Sequence, residues 1–175
     1  MTLDANTRGA LEAILMITDA PVSLVALATA SLRGMTTLGV AALTSDQVAA
    51  LTSTQIASLS STQAAAIETD DMAALTTSQM RALTSTQMAA MTTDQIAAIA
   101  TDDIASLGTS ALRAITTDGI QALTSEQVAL LSTAQVAALS TLQMAAIETD
   151  DVLALTTTQL RALGSAQLRA LSTEQ

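Results

Sequence analysis

The 175-residue chain has no cysteine, histidine, tryptophan, tyrosine or phenylalanine, and its six basic residues are all arginine. Each absence removes a chemistry. Without thiol or imidazole there is no disulfide, no cysteine nucleophile and no histidine to move protons or bind a metal. Without lysine there is no Schiff base, and without aromatic rings there is no platform on which bases stack. The formal net charge of -10 argues against nucleic acid and anionic membrane as partners, because both call for basic patches. The lack of cysteine leaves the redox compartment open.

No targeting or membrane segment stands out. Residues 1–17 carry Asp4, Arg8 and Glu12, which interrupt the apolar run a secretory signal needs. The uncharged stretch from Gln47 to Ile67 is too rich in Ser, Thr and Gln to span a bilayer. No membrane insertion is therefore expected.

What the chain does contain is an eight-residue repeat. Seventeen octads run from Leu43 to Gln175, the last one incomplete, beginning Leu43-Thr-Ser-Asp-Gln-Val-Ala-Ala50. With positions labelled a to h, a is always Leu, Ile or Met and c is always Ser or Thr. Position f is apolar and h is nearly always Ala; fainter octads reach back through Met35 and Leu27. A fixed short period predicts a solenoid-like or fibrous array.

The octad does not suit the regular alternatives. A strand would point a and f to opposite faces, as their parity differs. In one long helix the apolar positions would drift by roughly 80° per octad and spiral around the rod. A long or kinked helix and a Thr-laddered β-solenoid remain competitors, but a helix restarted in every octad fits better. Eleven octads have Ser or Thr at b and Gln at e, as in Thr84/Gln87, the pattern of a capping box. Positions a and f then fall at N′ and N4, the hydrophobic staple. From Asp46 onward the acids lie only at b, d or e, and Arg81, Arg113, Arg161 and Arg169 all lie at g. Where charge occurs, it is negative in first turns and positive in last turns, as the helix dipole favours.

The pairs Asp70-Asp71, Asp102-Asp103 and Asp150-Asp151 recur at intervals of whole 16-residue units, which predicts about two octads per coil, with equivalent side chains stacked in ladders. Residues 1–42 differ. Leu11, Ile14, Leu15 and Ile17 suggest a helix, Asp19-Ala20-Pro21 a turn, and the apolar run to Leu32 an N-terminal cap over the first coil. The domain division is thus 1–42, helical cap and degenerate repeats, and 43–175, octapeptide-repeat solenoid. Gln175 falls at position e, so the far end calls for further octads or a second molecule.

No constellation reads as catalytic, cofactor-binding or metal-binding. The Asp pairs are the sharpest candidates, for acid–base work or Ca²⁺, but a pair repeated three times at helix starts is expected to be solvated dipole compensation. Ser and Thr have no base to activate them and are accounted for as caps. The Met residues at f fill core slots, and Gly119 in place of Gln marks a local irregularity.

The tracts Leu51-Thr-Ser-Thr-Gln-Ile-Ala, Leu83-Thr-Ser-Thr-Gln-Met-Ala and Leu123-Thr-Ser-Glu-Gln-Val-Ala resemble the LTxxQ(I/V)AAL octapeptide-repeat tracts of large bacterial surface or secreted proteins. The resemblance covers 43–175 and implies an extracellular, non-catalytic structural or adhesive role. The expectation is therefore an all-α solenoid of very short helices with an N-terminal helical cap. It would serve as a spacer, a stalk or a subunit self-associating head to tail into a filament. The alternative is a module that binds ice, glycan or mineral through rows of hydroxyls.

Overall fold

The computed structural model describes residues 29–171. Of the cap and degenerate repeats expected over residues 1–42, the first 28 residues lie outside them, as does the final capping box at Ser172 and Gln175.

Among the described residues there are eighteen helices of four to six residues and no strands. They are α1 (Thr29–Arg33), α2 (Thr37–Ala41), α3 (Ser45–Ala49), α4 (Ser53–Ser58), α5 (Ser61–Ala64), α6 (Thr69–Ala73), α7 (Thr77–Ala82), α8 (Ser85–Met88) and α9 (Thr93–Ala97). The series continues with α10 (Thr101–Ile104), α11 (Thr109–Ala114), α12 (Thr117–Gln121), α13 (Ser125–Leu130), α14 (Thr133–Ala138), α15 (Thr141–Ala146), α16 (Thr149–Ala154), α17 (Thr157–Ala162) and α18 (Ser165–Ala170). Every one begins at position c. The two helices before residue 43 obey the same rule, so the array is under way at Thr29.

Most starts are the expected ones; the helices at Thr69, Thr101, Thr109 and Thr149 have no side-chain cap. At α8, Thr84 Oγ1 accepts from the Gln87 amide at 3.3 Å while Gln87 Oε1 accepts from the Thr84 amide at 2.8 Å. The same reciprocal box opens α3, α4, α5, α7, α9, α13, α14, α15 and α17. At α18 the N-cap is Gly164, so only the glutamine half remains, Gly164 N–H to Gln167 Oε1 at 2.9 Å.

The stops need no glycine, which resolves why the octads so seldom contain one. No described residue has a positive φ. Instead the residue at a swings into extended backbone, as at Leu83 (φ −60°, ψ 127°), a region open to any residue. Its amide still closes a final tight turn on the f carbonyl, Leu83 to Met80 at 3.2 Å. The extended a–b pair is the bend, and the b hydroxyl caps the next helix.

The core is the inside of the resulting coil. Position a is buried from Met35 to Leu163, and position f from Leu32 to Met144. A helix this short is unstable alone. Burial of each a and f side chain, worth roughly 1.5–3 kcal/mol, holds it in place.

The coil is larger than the Asp-pair spacing predicts. Helices three apart in sequence lie against each other, α4 with α7, α8 with α11 and α15 with α18. Side-chain contacts between coils span 28 and 31 residues, as from Gln87 to Leu59 and Ile56. A coil thus holds between three and four octads, not two. The reason is geometric. Two short helices joined by two bends fold back flat and enclose nothing, whereas three to four sides surround a core that can take both a and f. Because a coil is not a whole number of octads, position e of one coil sits over a bend of the coil beneath, not over another e.

Candidate functional site: the glutamines between coils

That stagger gives position e a second task. Capping predicts where the glutamine oxygen goes and says nothing about its nitrogen. Among the described residues, Nε2 of the buried e glutamines points into the neighbouring coil and donates to two main-chain carbonyls there. Gln87 reaches Ile56 O at 2.7 Å and Leu59 O at 2.9 Å; Gln95 reaches Ala64 O at 3.0 Å and Ile67 O at 2.6 Å. Gln63, Gln79, Gln127, Gln135, Gln143, Gln159 and Gln167 repeat the contact with the same 31- and 28-residue offsets. The acceptors are the f carbonyl and the following a carbonyl, joined in five cases by the g carbonyl near 3.3 Å, as at Gln79 to Ala49 O, all at the end of a helix where carbonyls run short of helical partners. One side chain therefore starts its own helix and finishes another four octads earlier. The sequence signal was present: a polar residue kept at N3 where Glu would cap equally well implies that the amide nitrogen is used.

The Asp pairs divide. Asp70, Asp102 and Asp150 at d are exposed, as expected of first-turn acids. Asp71, Asp103 and Asp151 at e are buried, contrary to the expectation of solvated pairs. A carboxylate cannot donate to carbonyls, and these three accept instead from hydroxyls of the coil beneath. Ser45 Oγ donates to Asp71 Oδ1 at 2.7 Å, Thr77 Oγ1 to Asp103 Oδ1 at 2.7 Å and Ser125 Oγ to Asp151 Oδ1 at 2.6 Å. Asp71 Oδ2 is buried without a hydrogen-bond partner. Among the described residues no group of three or more acidic side chains is arranged to hold a metal ion.

The hydroxyls are largely spent on the fold. Those at b cap their own helices, and several at c reach the next coil, as Ser53 Oγ to Ser78 O at 3.0 Å and Ser85 Oγ to Ser110 O at 3.0 Å. The f methionines Met72, Met80, Met88 and Met144 are fully enclosed in the core, as expected. At Gly119 a Cβ would lie 2.7 Å from Ile115 Cγ2 and 3.5 Å from Ile96 Cγ1, so the irregularity is a place where core side chains fill the volume of a side chain. Among the described residues no helix is long and apolar enough to cross a membrane.

The remaining surface of interest is the last coil. Leu160 and Leu168 stand at f, a position buried from Leu32 to Met144, yet are 38% and 48% exposed. In the interior of the array position f is covered by the following coil.

No curated protein and no solved structure matches the chain. A family model described as the ALTTAQ repeat matches residues 24–61, 64–100, 96–133 and 144–175. Its hexad falls on positions h to e, as in Ala82-Leu83-Thr84-Ser85-Thr86-Gln87: one small half-buried residue, the bend, the cap and the glutamine that joins the coils. The chain belongs to the ALTTAQ repeat family.

Proposed function

We propose that this protein is a non-catalytic structural element, a spacer, stalk or filament subunit whose length is set by its number of octads. The observation that supports this most is the use of the e glutamines. Most octads apply their most elaborate polar side chain to join coil to coil, and the same contact recurs along the array. A repeated contact of this kind extends without limit, as an open heterologous interface does. Placement at a bacterial surface rests on the resemblance of the repeat tract to surface and secreted proteins.

The filament form of this reading assigns the contact to the face around Leu160 and Leu168, which takes another octad coil, from a second copy by head-to-tail addition. Electron microscopy and light scattering over a concentration series test it. Rods that lengthen with concentration, and that vanish when Leu160→Asp and Leu168→Asp are combined, support head-to-tail assembly. A strictly monomeric protein at high concentration eliminates the filament and leaves the spacer.

A further inference from the structure

The joining of coils by glutamine is interrupted once over most of a coil. Position e holds Asp103, Ala111 and Gly119 in three consecutive octads, and none of these side chains has an N–H to donate. At the 31- and 28-residue offsets that recur in the glutamine contacts, they face the carbonyls of Met72 and Leu75, Met80 and Leu83, and Met88 and Met91. The steps on either side are complete. Gln79, Gln87 and Gln95 tie α7–α9 down to the coil beneath, and Gln127, Gln135 and Gln143 tie α13–α15 down to theirs.

A second observation falls at the same level. The lower face of the interrupted step carries Met72, Met80, Met88 and Met91, a larger share of methionine than any other step, and methionine is the most conformationally adaptable of core side chains. Across the step there remain the Thr77–Asp103 hydrogen bond at 2.7 Å and the Ser85 to Ser110 carbonyl bond at 3.0 Å, besides apolar contact.

Of the helices α6–α9 beneath the interrupted step, α9 is the one that glutamines tie on both sides. Its Gln95 donates downward to Ala64 and Ile67, and Gln127 of α13 donates onto Ala97 and Ile99 at its end. We propose that the step between α10–α12 and the coil beneath is a built-in flexing seam, hinged at α9, between two stiffer blocks of the column. Opening this seam parts a soft apolar face and breaks few hydrogen bonds, while opening any fully stitched step breaks a glutamine pair in each octad. The seam is a property of the fold and does not depend on what the column is used for.

Hydrogen exchange on the whole protein tests this. Such short helices keep their amide protection only while packed, so local opening is read directly. Amides of residues 101–121 are expected to exchange about ten-fold faster than those of 125–146. Fraying from the chain end gives the opposite order, since 125–146 lies nearer to it. Ala111→Gln, which pairs with the Gly108 cap as Gln167 does with Gly164, is expected to slow exchange at 101–121. Gln135→Ala, which cuts one stitch in a complete step, is expected to raise exchange locally around α14. Equal or slower exchange at 101–121 in the unaltered protein overturns the seam, and so does a Gln135→Ala variant whose protection around α14 is unchanged.

Discussion

The side-chain amide of Gln87 donates to the main-chain carbonyl of Ile56, 31 residues earlier, at 2.7 Å, and its oxygen meanwhile caps the helix in which it sits. Both ends of the amide are thereby fixed. Gln87→Ala removes a cap partner and takes the side-chain donor from two buried carbonyls, of which Ile56 O keeps the Leu59 amide, a loss of about 2–4 kcal/mol. Gln87→Glu keeps the cap but sets a carboxylate against those carbonyls, and is expected to cost more than alanine at neutral pH. Acid, which gives the carboxyl a proton to donate, narrows the gap. Urea denaturation followed by circular dichroism at two pH values measures all three.

Asp71 supplies the mirror case. Its Oδ1 already has the Ser45 hydroxyl, and its Oδ2 is buried without a partner. Asp71→Asn keeps an acceptor for Ser45 and exchanges the orphan oxygen for a donor. It is expected to stabilise the protein by about 1 kcal/mol, whereas Ser45→Ala, which strips the carboxylate of its one donor, destabilises by about 1–3 kcal/mol. Melting temperatures of the two variants should move in opposite directions.

Much of this chain was legible before any coordinates. Thr84 at b, Gln87 at e, the staple residues at a and f, and arginine confined to g each imply a helix restarted in every octad, because capping is a local interaction between residues three or four apart. The coil size was not legible. Asp71 and Asp103 are separated by four whole octads, and that interval does not by itself fix how the repeat winds. Winding depends on how sharply the a–b bend turns and on how many sides enclose the a and f side chains, which no local pattern encodes. The burial of Asp71 and the second role of Gln87 escaped for the same reason, as both look across to another coil.

The glycines separate cap chemistry from packing. At Gly108 an added Cβ meets nothing within 4 Å, so Gly108→Ala is expected to be neutral or to stabilise by about 0.4–1 kcal/mol through loss of unfolded-state freedom. Gly108→Ser adds an N-cap hydroxyl as well. At Gly119 the same methyl meets Ile115 Cγ2 at 2.7 Å, and Gly119→Ala is expected to destabilise by about 1–3 kcal/mol. Chemical denaturation of the pair gives opposite signs for the same substitution.

Position f gives the clearest contrast between interior and end. Ile96→Ala, at a fully enclosed site, is expected to cost about 2–5 kcal/mol. Leu168→Ala makes the same kind of cut at a site 48% exposed and is expected to cost less than half as much. If the two losses are equal, the last coil is covered in solution, which the same samples examined by light scattering would reveal.

The winding of the column is tested most directly by nuclear Overhauser contacts from the side-chain amide protons of Gln87, assigned in isotope-labelled protein. A coil of three to four octads places them beside Ile56 and Leu59, 31 and 28 residues earlier. Contacts to residues near Asp71 instead, or none beyond its own helix, would contradict it.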